Sequence, residues 1–418
     1  MELCIYLGIF FLAIIGTPLF IIMSLFALTA FHFAQIDSSV VSVAIYQVSD
    51  QMMLLTIPLF TFAGQLMAES KSPLRMLRLS KALFGHFPGG ISIMGIVVCA
   101  FFTAFTGASG VTIVALGSLL VPMLMKQGHD EKFSIGLLTT CGSVGLLFPP
   151  SLPIILYGIV ARVNIDDLFK AGLVPGFVII LILSIYAIIK AKSDNNTIKF
   201  NPKEIWPAFK GSFWEALLPI GVLGGIYGGF TTAAETAAIT AFYVLIIECF
   251  IYKDIHFLKD IPKIVEKSMS LVGGILLILC CALGLTDYLV DEQIPMKILN
   301  MMKVYITSKW VFLLTLNLFL LIVGAMMDIF SAIIVVVPLI LPMAQVYQVD
   351  PIHLAIIFLT NLEIGYITPP VGINLFISSF RFNKPITLLY HYCIPFLFLM
   401  IFALLIVTYL PVLSLFWF

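Results

Sequence analysis

The sequence predicts an all-α polytopic membrane protein made of two inverted repeats, each with a re-entrant helical hairpin and a helix broken at a Pro-Pro pair. Three observations carry this. Of 418 residues, 61% are apolar and 11% charged, with a mean hydropathy of +1.12; soluble domains are about 45–50% apolar and about 25% charged. Apolar runs alternate with short polar stretches, and at about 20 residues per crossing there is room for roughly a dozen. The two Pro-Pro pairs, Pro149-Pro150 and Pro369-Pro370, stand 220 residues apart.

The expected spans are 3–33, 38–50, 53–68, 89–125, 133–160, 169–190, 213–229, 231–252, 268–290, 309–345, 351–380 and 387–412. The first follows Met1-Glu2-Leu3-Cys4, which has no basic region, and it is too long for a signal peptide. It is read as a membrane helix. Spans 89–125 and 309–345 exceed one crossing, and each has a polar, glycine-containing centre. These centres are Gly107-Ala108-Ser109-Gly110-Val111-Thr112 and Gly324-Ala325-Met326-Met327-Asp328. Non-helical backbone at membrane depth has to be buried in protein, so each span is read as a hairpin that enters and returns. A long kinked helix is the alternative.

Lys and Arg favour cytoplasmic loops. With the N-terminus outside, segments 69–88, 126–132, 190–212, 253–267 and 381–384 lie inside and hold 17 of the 22 basic residues. Arg162, Lys170, Lys297, Lys303 and Lys309 lie outside. One hairpin then opens to each side, so the repeats are inverted, as in secondary transporters. The 220-residue offset also matches Pro122-Met123 to Pro342-Met343, Asp130 to Asp350, Thr140 to Thr360 and Gly145 to Gly365.

The expected organisation follows from these spans. Residues 1–70 are N-terminal scaffold helices, 71–190 the first repeat, 191–212 a cytoplasmic linker, 213–290 scaffold helices of the second half and 291–418 the second repeat. Stretches 70–87 and 291–307 precede the hairpins and are amphipathic. Arg75, Arg78 and Lys81 with Leu74, Leu77 and Leu83 suit a helix lying in the interface plane.

Composition excludes disordered, collagenous and nucleic-acid-binding classes. The 22 basic residues equal the 22 acidic ones, so net charge names no partner. Seven scattered cysteines show no CxxC spacing and read as small buried hydrophobes. The six histidines form no close pair, and HExxH, GxSxG and Walker motifs are absent. The chain is not expected to be an enzyme or an ATPase, which leaves an ion gradient as the energy source.

Proline lacks an N–H and clashes with the preceding turn, so both Pro-Pro pairs break their helices within the membrane. Freed carbonyls can coordinate a small cation, and half-helix N-termini can face an anion. Hydroxyl and amide oxygens gather there as hard ligands suited to Na⁺. The cation candidates are Gly107, Thr140, Gly142, Ser143 and Gly145 in the first half, and Gly324, Asp328, Asn361, Glu363 and Gly365 in the second. Acids inside membranes are functional candidates by default. Asp328 could equally anchor the hairpin tip, Glu363 could cap a half-helix, and Glu235 reads as an N-terminal helix charge.

Several stretches then resemble one family, the large membrane subunit of tripartite ATP-independent periplasmic (TRAP) transporters. The most specific runs from Gly324-Ala325-Met326-Met327-Asp328 through Pro338, Pro342 and Asp350-Pro351-Ile352-His353. It continues as Asn361-Leu362-Glu363-Ile364-Gly365-Tyr366-Ile367-Thr368-Pro369-Pro370-Val371-Gly372-Ile373-Asn374-Leu375. Pro58-Leu59-Phe60, Pro149-Pro150-Ser151, Tyr157-Gly158 and Gly224-Gly225-Ile226-Tyr227-Gly228-Gly229 agree, and the resemblance spans essentially the whole chain. Two places depart from the family: the first tip is poorer in Ser, and Ala233-Ala234-Glu235-Thr236 stands where a Pro-Thr-Glu-Ala run is usual.

The resemblance implies an elevator transporter of the bacterial inner membrane with a periplasmic N-terminus. Its hairpins and broken helices would slide against a scaffold of the other helices. It implies a small four-helix membrane subunit, a periplasmic substrate-binding protein, and import of an organic acid anion such as a C4-dicarboxylate, sialic acid or keto acid. Na⁺ would drive it, with two or more ions, one per pair of hairpin and broken helix. Ser109, Thr112, Ser151, Thr368 and Asn374 are the corresponding substrate candidates. A stand-alone Na⁺/dicarboxylate symporter of related architecture is the runner-up, ahead of a membrane-embedded enzyme or a channel.

Overall fold

Proline sets the first boundary. It disfavours the helical conformation in the residue before it, and helix α1 (Leu19–Phe33) starts directly after Pro18. The span expected over 3–33 is therefore interrupted at Thr17 and Pro18. The structure, a computed structural model, describes residues 17–35, 52–85, 89–191, 202–294 and 308–418 continuously, with scattered positions elsewhere. The expected span 38–50 and interface arm 291–307 fall largely outside the described residues, as does the 192–201 part of the linker.

A 3-10 turn leads into α2 (Thr56–Glu69), and α3 (Ser72–Phe84) follows with Pro73 in its first turn. Helices α4 (Gly90–Thr106) and α5 (Ser109–Lys126) form a hairpin around Gly107 and Ala108. Gly107 has φ +63° and lies so close to Leu152 that a Cβ would collide with it. Next come α6 (Glu131–Val144), a 3-10 turn, and α7 (Leu152–Ala161), two half-helices bent by 44°. Helix α8 (Ile165–Lys190) completes the first half.

The 202–211 end of the expected linker is instead a helix, α9 (Pro202–Gly211), opened by proline at a position where the missing N–H costs nothing. It packs on α3. Helix α10 (Phe213–Tyr227) precedes α11 (Ala233–Ile246), which a capping box between Thr232 and Glu235 opens. Glu235 is thus a cap, one of the readings open to it. Helix α12 (Ile261–Asp291) leads to the second hairpin, α13 (Lys309–Met326) and α14 (Ile329–Val346). The second broken helix is α15 (Pro351–Gly365) and α16 (Ile373–Phe382), and α17 (Ile386–Tyr409) closes the chain. Among the described residues, seven helices are long and apolar enough to cross a membrane, or eight if the bent pair counts as one span.

The repeat is visible in the geometry. Asp130 and Asp350 each cap a broken helix, accepting from Phe133 N and Ile352 N at 2.8 Å. Both Pro-Pro peptide bonds are cis. The second leg of each hairpin packs on the second half-helix of the other half: α5 on α16, and α14 on α7. Such reciprocal contacts are what a two-fold relation between halves produces. The two hairpins and two broken helices therefore pack together, and α1, α2, α11 and α12 pack against one another, with α2 and α12 also resting on the hairpins.

Arg75, on the expected interface helix α3, is largely buried. Its side chain is 13% exposed and pairs with Glu215, Asp254 and Glu248, the last at 2.9 Å, while lying 3.8 Å over the Tyr252 ring. Burial opposes its charge, but Asp254, Glu248 and Glu215 outweigh that and hold the guanidinium above its ordinary range. These acids come from α10, the end of α11 and the loop beyond, so folding converts a charge on an interface helix into a tie to the second half.

Candidate cation and substrate site at the two helix breaks

In the first half the hairpin and the broken helix are joined through Thr103 of α4. Its hydroxyl lies 2.8 Å from Thr112 Oγ1 of α5 and 2.8 Å from Gly142 O of α6. Gly145 sits where a Cβ would come within 2.6 Å of Thr103, so only glycine allows this approach. Thr140 Oγ1 donates back to Gly136 O, and Ser143 Oγ lies 3.2 Å from Thr140 O. Ser109 is buried at the hairpin tip, and Ser151, just after the prolines, is fully buried with its hydroxyl unpartnered.

The second half repeats the scheme with other atoms. Ala325 O at the hairpin tip accepts from Val371 N and Gly372 N just after the Pro-Pro pair. Tyr366 OH accepts from Ile329 N at 2.9 Å, and Tyr366 O accepts from Asn374 N at 3.1 Å. Gly365 meets Gly324 so closely that a Cβ would lie 2.6 Å from Gly324 O. This is the partner of the Gly145 approach 220 residues earlier. Thr368 Oγ1 donates to Ile364 O, its own helix.

The acids divide. Asp328 is the N-cap of α14, accepting from Phe330 N at 3.0 Å, Ser331 N at 3.1 Å and the Ser331 hydroxyl. Both its oxygens serve the hairpin tip, which is the anchoring reading. Glu363 is fully buried. Neither carboxyl oxygen accepts a well-formed hydrogen bond, although the Leu147 N–H is directed at the group. The amide oxygens of Asn361 and Asn374 are likewise buried without a donor.

The two breaks are also tied across the halves. Asn374 Nδ2 donates to Thr139 O at 3.0 Å, and Thr139 Oγ1 donates to Ser378 Oγ at 2.8 Å. Ser378, Thr103 and Tyr366 are missing from the sequence-derived candidates. Thr103 and Ser378 stand among apolar helix residues and carry no local signal. A cavity of about 410 Å³ opens beside the first hairpin tip, bordered by Gly110, Val111, Gln65, Glu69 and Ile377. A second, of about 400 Å³, lies between α10 and α11 away from both breaks, with a mostly apolar lining.

A family model described as "Tripartite ATP-independent periplasmic transporter, DctM component" matches residues 5–413. The chain belongs to this family. It is 33% identical over 391 residues to the C4-dicarboxylate TRAP transporter large permease protein DctM of Pseudomonas aeruginosa, covering 93% of this chain and 91% of that one. It is similar to the isethionate TRAP transporter permease protein DctMQ of Oleidesulfovibrio alaskensis, at 33% identity over 96% of this chain but 64% of that longer one. The sialic acid TRAP transporter permease protein SiaT of Haemophilus influenzae is 29% identical over 93% of this chain and 64% of its own length. Among solved structures, the YdaH transporter of Alcanivorax borkumensis aligns with a TM-score of 0.60 over 87% of this chain and 85% of its own, at 14% identity. That likeness shows the fold alone. This TRAP large permease subunit is a multi-pass inner-membrane transporter component, not an enzyme.

Proposed function

We propose that this subunit imports an organic acid anion by Na⁺ symport, the substrate arriving from a periplasmic binding protein and a small four-helix membrane subunit completing the complex. One observation carries the coupling: Asn361 Oδ1 and Asn374 Oδ1 are buried acceptors with no donor among the described residues, and the buried Glu363 carboxyl has only the Leu147 N–H directed at it. Leaving such groups unpaired costs about 1–3 kcal/mol each, more when charged. Acceptors in excess of donors fit a hard monovalent cation, and Na⁺ would supply the positive charge that this oxygen-lined core otherwise lacks. Asn361, Glu363 and the neighbouring carbonyls of α15 would hold an ion in the second half. Thr140, Ser143, Gly142 and Gly145 would hold one in the first, with Gly107 and Gly324 shaping the two tips.

The substrate reading rests on the relatives, whose names specify C4-dicarboxylates, isethionate and sialic acid, all anions. Ser109 and Thr112 at one tip, with Ser151, Thr368 and Asn374 after the breaks, offer hydroxyl and amide groups beside half-helix N-termini. The shared core of hairpins and broken helices, set against outer helices, suits an elevator motion. The distribution of basic residues favours a periplasmic N-terminus.

The deciding experiment reconstitutes the chain with a small subunit and candidate binding proteins in proteoliposomes, with and without an inward Na⁺ gradient. Uptake of an organic acid only with the binding protein and Na⁺ is expected. Ser143→Ala and Asn361→Ala should weaken Na⁺-dependent uptake without unfolding the chain. Equal uptake in the absence of Na⁺ rejects the coupling, and uptake without any binding protein favours the stand-alone symporter.

A further inference from the structure

Asn361 Nδ2 donates to Ile357 O at 2.8 Å and to Asn317 Oδ1 at 2.8 Å. Which end of an amide points where is ordinarily an assignment rather than an observation. Here chemistry decides it. A backbone carbonyl can only accept, so the atom facing Ile357 O has to be the amide nitrogen. Asn361 Oδ1 is then forced to the other side, where it is buried with no donor. Asn361 and Gly365 lie one turn apart on the same face of α15, the face that meets Gly324 of the hairpin.

The same amide is held a second time from further out. Asn317 of α13 has to offer oxygen to Asn361, so its nitrogen faces Thr408 Oγ1 of α17, at 3.0 Å. The three side chains are buried, 3% exposed at Asn317 and 0% at Asn361 and Thr408. Helix packing does not require them. The equivalent positions of the first half, 220 residues earlier, are Val97 for Asn317 and Cys141 for Asn361. The same pair of elements, α4 and α6, packs there without an amide pair. There the Thr103 hydroxyl, 2.8 Å from Gly142 O, joins the two helices without an amide pair, which leaves orientation of a ligand as the distinguishing role of the amide pair.

We infer that Asn317, held by Thr408, is a positioning residue that, together with Ile357 O, holds the Asn361 amide with its carbonyl oxygen facing a hard monovalent cation, giving the second half a cation site that the first half does not share in this form. The inference rests on the Na⁺ reading above. Partners that orient a metal ligand typically matter about 10–100-fold in metal affinity.

The test measures thermal unfolding of the full-length chain in detergent over a series of NaCl concentrations, with choline chloride holding ionic strength constant. Wild type should be stabilised saturably by Na⁺. Asn317→Val, which copies the first half, should raise the half-saturating Na⁺ concentration about tenfold or more, although Asn361 is intact. Asn361→Cys should raise it as well, and the double variant should lose nothing beyond Asn361→Cys alone. A residue that merely supports packing would lower the melting temperature without moving the half-saturation point. An unchanged half-saturation in Asn317→Val, or a further loss in the double variant, overturns the inference. Should Asn317→Val fail to fold, Thr408→Val removes a single hydroxyl from the same chain of contacts. It should shift the Na⁺ response in the same direction, and no shift would be equally fatal. A wild-type chain with no Na⁺ response would instead reject the Na⁺ reading itself.

Discussion

Ser143 and Glu363 stand 220 residues apart, the repeat offset, and the Ser143 hydroxyl lies 3.4 Å from the Glu363 carbonyl oxygen. Contact between a position and its own equivalent marks the axis relating the two halves. The broken helices therefore meet where their helical hydrogen bonding stops, and the side chain on one side of that meeting is a buried carboxyl at which the Leu147 N–H of the other half is directed. Each half supplies what the other's break lacks.

The glycines that make this approach possible should not tolerate a methyl group. Gly145→Ala would press on Thr103 and the Ala100 carbonyl, and Gly365→Ala on the backbone of Gly324. Each is expected to destabilise by about 1–3 kcal/mol through overpacking, read as a lower melting temperature in detergent. Gly221→Ala, with nothing within 4 Å of the added carbon, is the control and should melt as wild type. Equal melting for all three variants would remove the close-packing account.

Arg75 stands among Glu215, Glu248 and Asp254, of which the two glutamates are 1% exposed in their side chains. Arg75→Met leaves Glu215 and Glu248 buried without that counter-charge, while Asp254 keeps Lys71 at 3.5 Å, and removing one partner of a buried pair costs about 3–5 kcal/mol. Arg75→Lys should recover little, because a single ammonium cannot reproduce the planar fork that serves three acids and stacks on Tyr252. Urea or thermal unfolding separates the variants. Full recovery by Lys would show that charge alone matters there.

Asp328 has two open roles, and one substitution separates them. Asn caps helices about as well as Asp, so Asp328→Asn should keep both the melting temperature and the Na⁺ dependence of uptake. Asp328→Ala should lose about 1 kcal/mol through the cap alone. A marked rise in the Na⁺ requirement of Asp328→Asn, with unchanged melting, would make the carboxylate a cation ligand.

His129, in the loop between α5 and α6, stacks on Phe133 at 4.6 Å and lies 3.2 Å from Ser92 Oγ. Burial lowers its proton affinity below the ordinary histidine value, with Asp130 opposing the shift in part. Since the folded value lies below the unfolded one, neither state is favoured above about pH 6.5. As pH falls below that, the unfolded chain takes up the proton first and stability declines. His129→Gln should flatten the melting-temperature profile between neutral and mildly acidic pH; an unaltered slope would place the titration elsewhere.

Much of this molecule is legible without coordinates. Hairpins, broken helices and the repeat depend on local chemistry: prolines remove N–H groups, glycines admit unusual backbone, and an aspartate just before a helix caps it. The Asp130 and Asp350 caps and the Gly107 turn follow from their own neighbours in the chain. Thr103, Ser378 and Asn317 do not, because a hydroxyl or amide within an apolar helix looks the same whether it bonds to its own turn or to another helix.

The sequence by itself determined the membrane class, the two-fold duplication and the positions of both breaks, since each depends on residue type at short range or on a fixed offset. Only the tertiary structure decided which oxygens were left over. It brought cap donors to both Asp328 oxygens, gathered three acids around Arg75, and left the amide oxygens of Asn361 and Asn374 buried without a donor among the described residues. The physical reason is that satisfaction of a polar atom is a property of the space around it. Distant segments fill that space, and the chain sets it only when both halves close on each other.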